Sequence, residues 1–314
     1  MKKLWSIGGG KGGIGKSIVT LGLGITMAKM GKKIILIDAD LGGANLHTLM
    51  GVRYPALTLE DFILKRVERL EDIVIETQIE GIGLICGADD IMGAANPKFA
   101  QKIRLLNQLE DLPADLVLLD LGAGTSFNVL DFFNYSAGKI AVSTNQSTSL
   151  QNVYGFIKSA MFRFVSREFA RDEEVLNILH QAGNRHAKIS SIGDILTHLK
   201  GKAPEKYDRL KHMMNHFEIF LVVNMVKTEL DRKAGQIIQK VCADFLDLHL
   251  QIFGSLVYDP EVEKAVNQML PFPVRSLDSP AAMGLQHIAL QLLKEANLEE
   301  VGAPPKLAAT GTRG

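Results

Sequence analysis

Gly10-Lys11-Gly12-Gly13-Ile14-Gly15-Lys16-Ser17 places two lysines, four glycines and a hydroxyl within eight consecutive residues. The pattern GxxxxGK[ST] suits a loop that holds phosphate. Its glycines let the backbone curl so that several N–H groups face one anion, and a following helix adds positive potential. Lys16 is placed to reach β- and γ-phosphates, and the Ser17 hydroxyl to ligate Mg²⁺. Asp38, Asp40 and Asp120 stand at the ends of apolar runs, as does Asn224. A carboxylate near a γ-phosphate orients water and accepts a proton late in a loose transition state. A further carboxylate can hold a metal-bound water. An amide such as Asn224 offers a donor and an acceptor to the edge of a purine. The second lysine, Lys11, adds little within its own subunit. It gains a use if it reaches a second nucleotide across a dimer interface, as an arginine finger does.

The elements that must position these residues are short apolar runs between helix-like stretches. They are Leu4–Ile7, Ile34–Ile37, Ile82–Cys86, Leu116–Leu119, Ile140–Val142, Ile219–Val223 and Ile252–Leu256. This alternation predicts an α/β fold, a mostly parallel sheet with helices on both faces. Ligands of such sheets bind outside the carboxyl ends of the strands. Gly8-Gly9-Gly10, Asp38-Ala39-Asp40, Asp120-Leu121-Gly122 and Asn224 therefore converge on one edge, and the phosphate loop joins the first strand to the helical stretch Ile18–Met30.

Residues 150–217 break the rhythm: they are polar, hold five of the eight histidines and contain the loop-like Gly201-Lys202-Ala203-Pro204-Glu205. They read as a helical insertion, spanning about 155–217, in a single nucleotide-binding domain of residues 1–301. A separate domain is the alternative. Gly302-Ala303-Pro304-Pro305 through Gly314 reads as a flexible tail.

Composition narrows the function classes. Of 314 residues, 46% are hydrophobic and 22% charged, as in ordinary globular chains, so a disordered or collagen-like chain is excluded. Lys+Arg and Asp+Glu number 35 each, which disfavours a dedicated polyanion binder. Cys86 and Cys242 form no CxxC pair and are too few for a disulfide framework. No apolar run reaches the ~18 residues needed to span a bilayer, and glycines directly after Ile7 leave no signal-peptide apolar region. The expected compartment is the cytoplasm.

Lys11-Gly12-Gly13-Ile14-Gly15-Lys16-Ser17 resembles the deviant Walker A loop, KGGxGK[ST], of the ParA/MinD ATPases. Asp38-Ala39-Asp40-Leu41-Gly42-Gly43-Ala44-Asn45-Leu46, with Met50-Gly51 beyond it, resembles their first switch, above all that of MinD and the flagellar-number regulators FlhG/FleN. Asp120-Leu121-Gly122-Ala123-Gly124 resembles their Walker B and second switch. The likeness covers about 250 residues, and the ordered combination is far more specific than any one motif.

The resemblance implies a P-loop NTPase fold of the SIMIBI, MinD-like type that uses ATP/ADP and Mg²⁺. Gly10, Lys11, Gly12, Gly13, Ile14, Gly15, Lys16, Ser17 and Ile18 would form the phosphate loop. Lys11, Lys16 and Asp40 would be catalytic, with Asp40 polarising the attacking water. Ser17, Asp38, Asp40 and Asp120 would lie on the metal side. Asn224 would read adenine, while Tyr258 and Pro260 would close the base pocket. The implied activity is slow, partner-stimulated ATP hydrolysis by an ATP-dependent homodimer. The implied role is positioning of a flagellum or of division or partition machinery, through a protein partner on the switch or insertion surface. Alternatives are a nucleotide-binding scaffold that does not hydrolyse and, less favoured, a metallocofactor-assembly ATPase.

Other signals are weaker. Arg163, Arg167 and Arg171 recur at i, i+4 and i+8, but Glu168 and Asp172 beside them favour a solvated or partner-binding face over nonspecific DNA binding. His212 and His216 read as a surface pair and Cys86 as a core thiol. MinD and FlhG usually end in an amphipathic membrane-binding helix. Here Leu285, Ile288, Leu292 and Leu293 suit core packing and the tail has no apolar face, which disfavours direct membrane binding. FlhG commonly also carries an N-terminal segment that acts on its GTPase partner, whereas this chain enters its first strand at once. Thr144-Asn145-Gln146-Ser147-Thr148 replaces a Pro-containing loop of relatives, which points to a different partner.

Overall fold

In the computed structural model the apolar runs pair as one sheet of eight strands. These are β1 (Leu4–Gly8), β2 (Ile34–Ala39), β3 (Ile75–Glu76), β4 (Ile82–Ile85), β5 (Leu116–Leu121), β6 (Gly138–Ser143), β7 (Phe220–Val226) and β8 (Gln251–Val257). The structure describes residues 2–87, 97, 99–182, 192–272 and 278–298. The expected tail, 302–314, and part of the expected insertion lie outside them. Strand order is β3-β4-β2-β5-β1-β6-β7-β8, with β3 antiparallel to β4 and parallel pairing throughout the rest. Strands β1, β2, β5 and β6 are buried along their whole length. Burial on both faces is why they read as continuous apolar runs.

The chain runs outward from β1 to β2 on one side and later to β6 on the other, so β1 lies at a topological switch point. That is where a crevice opens in such sheets. Register does the fine placement. Asp38 of β2 lies opposite Asp120 of β5, and Ile7 of β1 opposite the same Asp120. Two carboxylates are thus neighbours across adjacent strands, directly beside the strand that feeds the phosphate loop.

Two apolar layers sandwich the sheet. On one face the helix Lys16–Lys29 and the helix Pro280–Glu295 pack together, and Leu285 covers Gly22 so closely that a Cβ there would lie 2.6 Å from Leu285 Cδ1. Leu285, Ile288, Leu292 and Leu293 are all buried there. The other face carries the helices Phe127–Tyr135 and Ser147–Glu168, followed by Glu173–Ala182, Ile192–Lys202 and Pro204–Asn215. Val175, Ile178, Ile195, Leu199 and Leu210 from the last three join the same core cluster as Leu119, Ala141 and Leu221 of the sheet.

Two members of the arginine series, Arg163 and Arg167, are anchored on one buried carboxylate rather than standing free on a solvated face. Arg163 Nε and Arg167 Nη1 reach Asp131 Oδ1 at 2.9 and 3.3 Å, while Lys102 Nζ reaches Oδ2 at 2.6 Å. Asp131 is buried, which alone would raise its pKa. The bonds from Arg163 and Lys102 more than offset this and hold the carboxyl below its ordinary value. This stabilisation is present above the ordinary carboxyl pKa and is lost as pH falls through the lowered one. Asp131→Asn leaves three cations without their counter-charge. We expect it to destabilise the fold by roughly 2–4 kcal/mol at neutral pH, discounted for the part-exposed arginines. Urea unfolding at pH 7 and pH 3 checks this: the gap between wild type and variant should shrink at the lower pH.

Candidate nucleotide site

The phosphate loop begins where β1 ends and its last turn starts the Lys16–Lys29 helix. Gly15 adopts a left-handed conformation at φ 84°, and a Cβ there would collide with the Asn224 side-chain amide. Only glycine meets both conditions. Gly10 is equally constrained, because its Cα faces the Asn152 carbonyl of the Ser147–Glu168 helix with no room for a side chain. The helix thus braces the outer side of the loop. Ile14 is buried beneath it, whereas Lys11, Gly12 and Gly13 are exposed. The Lys11 ammonium lies 3.4 Å from Thr148 Oγ1.

Lys16 and its surrounding acids make the electrostatic centre. Lys16 is buried, which lowers its pKa, while Asp120 and Asp40 act in the opposite direction. Asp120 is pushed up to about 7, chiefly by burial and then by Asp38, against hydrogen bonds from Ser17 and Thr20 and the charge of Lys16. Asp38 is also raised by burial. Its backbone bonds oppose this: Oδ1 accepts from Asp40 N at 3.1 Å, and Oδ2 from Asn45 N and Leu46 N at 2.8 Å each. Asp38 therefore clamps the turn that presents Asp40. The Asp40 carboxylate leans over Gly122, where a Cβ would lie 2.8 Å from Oδ1. The loops after β2 and β5 meet at that point.

Thr20 is a site residue not anticipated from sequence. Its hydroxyl donates within a shared bond to the Lys16 carbonyl at 3.0 Å and to Asp120 Oδ1 at 3.1 Å. The available signal was its position one helical turn beyond Lys16 and Ser17, on the side facing the sheet.

The donor set fits Mg²⁺. Among the described residues no three acidic, His or Cys side chains form a cage of their own. Mg²⁺ is ordinarily held by one or two protein ligands together with waters and substrate phosphates. A hydroxyl at Ser17 backed by Asp120, a carboxyl raised by burial and by the neighbouring Asp38 despite the Lys16 charge, matches that requirement.

At the carboxyl ends of β7 and β8 a cavity of about 270 Å³ opens beside Gly15 and Ile18, lined by Asn224, Leu256, Tyr258 and Phe272 among others. Asn224 Nδ2 donates to the Ile14 carbonyl at 2.9 Å, and its Oδ1 accepts from Met225 N at 2.9 Å. The amide thus ties the phosphate loop to the cavity wall. Tyr258 donates its hydroxyl to Glu263 at 3.0 Å and carries Lys227 over its ring at 4.7 Å. Pro260 starts the next helix, Pro260–Asn267, which supplies Val262 and Glu263 to the lining. His212 and His216 lie with ring centroids 4.3 Å apart, tilted against each other, at the end of the Pro204–Asn215 helix. Cys86 and Cys242 are buried and form no disulfide, and burial raises Cys242 to about 12.

A phosphate loop at a sheet switch point, with carboxylates at the ends of the flanking strands, defines a P-loop nucleotide-binding protein. More narrowly, the chain belongs to the CobQ/CobB/MinD/ParA nucleotide-binding family, whose domain matches residues 5–272. It is an ATPase of the MinD/ParA type. The antiactivator FleN of Pseudomonas aeruginosa is 28% identical over 266 residues, covering 84% of this chain and 76% of FleN. The flagellum site-determining protein YlxH of Helicobacter pylori is 31% identical over 161 residues, covering 50% of this chain and 53% of YlxH. The septum site-determining protein MinD of Pyrococcus horikoshii, solved with Mg-ADP, shares the fold with a TM-score of 0.65 at 21% identity over 95% of this chain and 98% of that one. Among the described residues no helix is long and apolar enough to cross a membrane.

Proposed function

We propose that the chain is an Mg²⁺-dependent cytoplasmic ATPase that dimerises around two ATP molecules and serves as a switch in placing a cellular structure such as the flagellum. Residues 1–301 form one such unit in this reading, with a helical insertion at about 155–217. The observation that carries the reading is the convergence of Lys16, Asp40 and Asp120 at the loop after β1, with the β2 and β5 loops touching at Asp40 and Gly122. YlxH, whose name describes flagellum site determination, supports the cellular assignment. Bound Mg²⁺ would supply charge neutralisation at the phosphates, with Ser17 and the Asp38, Asp40 and Asp120 carboxylates on its side.

The residues of the chain divide the remaining work. Backbone N–H groups of residues 12–17 orient the phosphates and Lys16 carries the counter-charge. Asp38 fixes the turn that delivers Asp40, and Asp40 orients the attacking water. Apolar walls and the Asn224 amide receive the base. A metal-cluster carrier is disfavoured by two buried thiols, one of them raised far from ionisation.

Asp40→Ala should retain ATP, accumulate as dimer and lose hydrolysis by about 10²–10⁴-fold, the range for a positioned general base. Phosphate release in MgATP with and without EDTA, alongside light scattering, checks the reading. Wild-type protein that binds ATP without turnover would instead identify a scaffold.

A further inference from the structure

We propose that the corner where the Phe127–Tyr135 helix meets the Ser147–Glu168 helix binds a short acidic segment of a partner protein that carries one large apolar side chain. This deepens the switch reading and rests on it for the timing of binding, not for the surface itself.

Phe127 is 68% exposed, an unusual position for a ring at the head of an apolar helix. The Arg163 guanidinium carbon lies 4.5 Å from its ring centroid, so the ring is held flat against a cation and presents its other side outward. Behind this pair, one carboxylate, Asp131, answers three cations: Lys102, Arg163 and Arg167. Lys102 is nearly buried, but the side chains of Arg163 and Arg167 are 29% and 40% exposed, so the surplus positive charge faces solvent. Glu168 and Asp172 do not cancel it. Glu168 pairs with Arg209 at 3.7 Å, and Asp172 pairs with Lys206 at 3.0 Å.

The occupant follows from these charges. Two guanidinium forks beside an aromatic ring match carboxylates flanking an apolar side chain. A long polyanion such as duplex DNA fits poorly, because two part-exposed guanidiniums supply far fewer phosphate contacts than a duplex needs. The surface is also preorganised: Asn134 Nδ2 donates to the Ala160 carbonyl at 2.8 Å and Phe133 meets Phe156 edge-on at 4.8 Å, fixing one helix on the other. Ser126, which caps the Phe127 helix, closes the segment that begins at Gly122 under Asp40. Movement of that loop would therefore be felt at Phe127.

The test is selection of a phage-displayed random 12-mer library on the full chain with a nonhydrolysable ATP analogue, with counter-selection on Phe127→Ser/Arg167→Gln. Enriched peptides should carry several Asp or Glu around an aromatic or large aliphatic residue. A synthetic copy of the top peptide should bind in fluorescence anisotropy, weaken with salt, and lose about tenfold or more in affinity with either single variant. Both positions are exposed enough to change without loss of fold, and nucleotide affinity in each variant verifies this. Absence of enrichment, enrichment of basic or neutral peptides, or undiminished binding to both variants would overturn the proposal. Binding of a 20-base-pair duplex or of phosphatidylserine vesicles that disappears with the same variants would assign the patch to that polyanion and overturn it too. Equal peptide affinity with ADP and with the analogue would leave the surface standing and count against the switch reading alone.

Discussion

Lys16→Ala is expected to lower ATP affinity by about two to three orders of magnitude, the largest single effect on binding at this site. The ammonium is buried at the base of the loop, where its attraction for phosphate is poorly screened. Its removal strips one side of a charge-assisted contact and leaves the other desolvated, a change worth about 3–4 kcal/mol. A second consequence concerns the protein without ligand. Lys16 is one of the groups that restrain the upward displacement of Asp120, so the variant should bind a proton there more readily. Calorimetric titration with ATP gives the affinity. Thermal unfolding gives an independent readout, since ligand at a hundredfold excess over Kd stabilises by about 2.7 kcal/mol and that gain should vanish. Lys16→Gln, closer in volume, guards against attributing a packing defect to lost charge. Undiminished affinity in both variants would remove the assigned pocket.

How much of this was visible in the sequence depended on whether an interaction was local. The phosphate loop, and the strand ends that bear Asp38, Asp120 and Asn224, lie in short segments whose backbone needs are written in their own residues. All seven apolar runs became strands, and the four that are buried on both faces, β1, β2, β5 and β6, tolerate little but apolar residues. The edge strand Ile75–Glu76 was not legible: two residues paired antiparallel carry no periodicity. Asp131 shows the opposite limit. Its partners stand 29 to 36 positions away on two other helices, so the arginine spacing was visible while the carboxylate that gathers them was not. Asn224 is similar, since its bond to Ile14 spans 210 positions and becomes apparent only when β7 is placed beside β6 and β1.

The lysine that distinguishes this loop from a generic phosphate loop gives the sharpest remaining expectation. Lys11 is exposed at the lip of the loop and its ammonium rests 3.4 Å from Thr148, whereas Lys16 is buried at the base. A cation that serves its own subunit's phosphates gains from enclosure. One that must cross to a second copy needs an open path and a flexible stem, which lysine has. Lys11→Ala should accordingly bind ATP within about threefold of wild type, as surface substitutions do. It should lose ATP-dependent dimerisation and most hydrolysis, because two phosphate clusters would face each other across the interface with less compensating charge. The difference between the two lysines is thus qualitative: one variant fails to bind, the other binds and fails to pair. Light scattering of wild type and Lys11→Ala, each with ADP and with a nonhydrolysable ATP analogue, resolves them. Wild type that stays monomeric with the analogue at high protein concentration would end the dimer reading. A Lys11→Ala protein that pairs and turns over normally would preserve the dimer and deprive this lysine of its role in it.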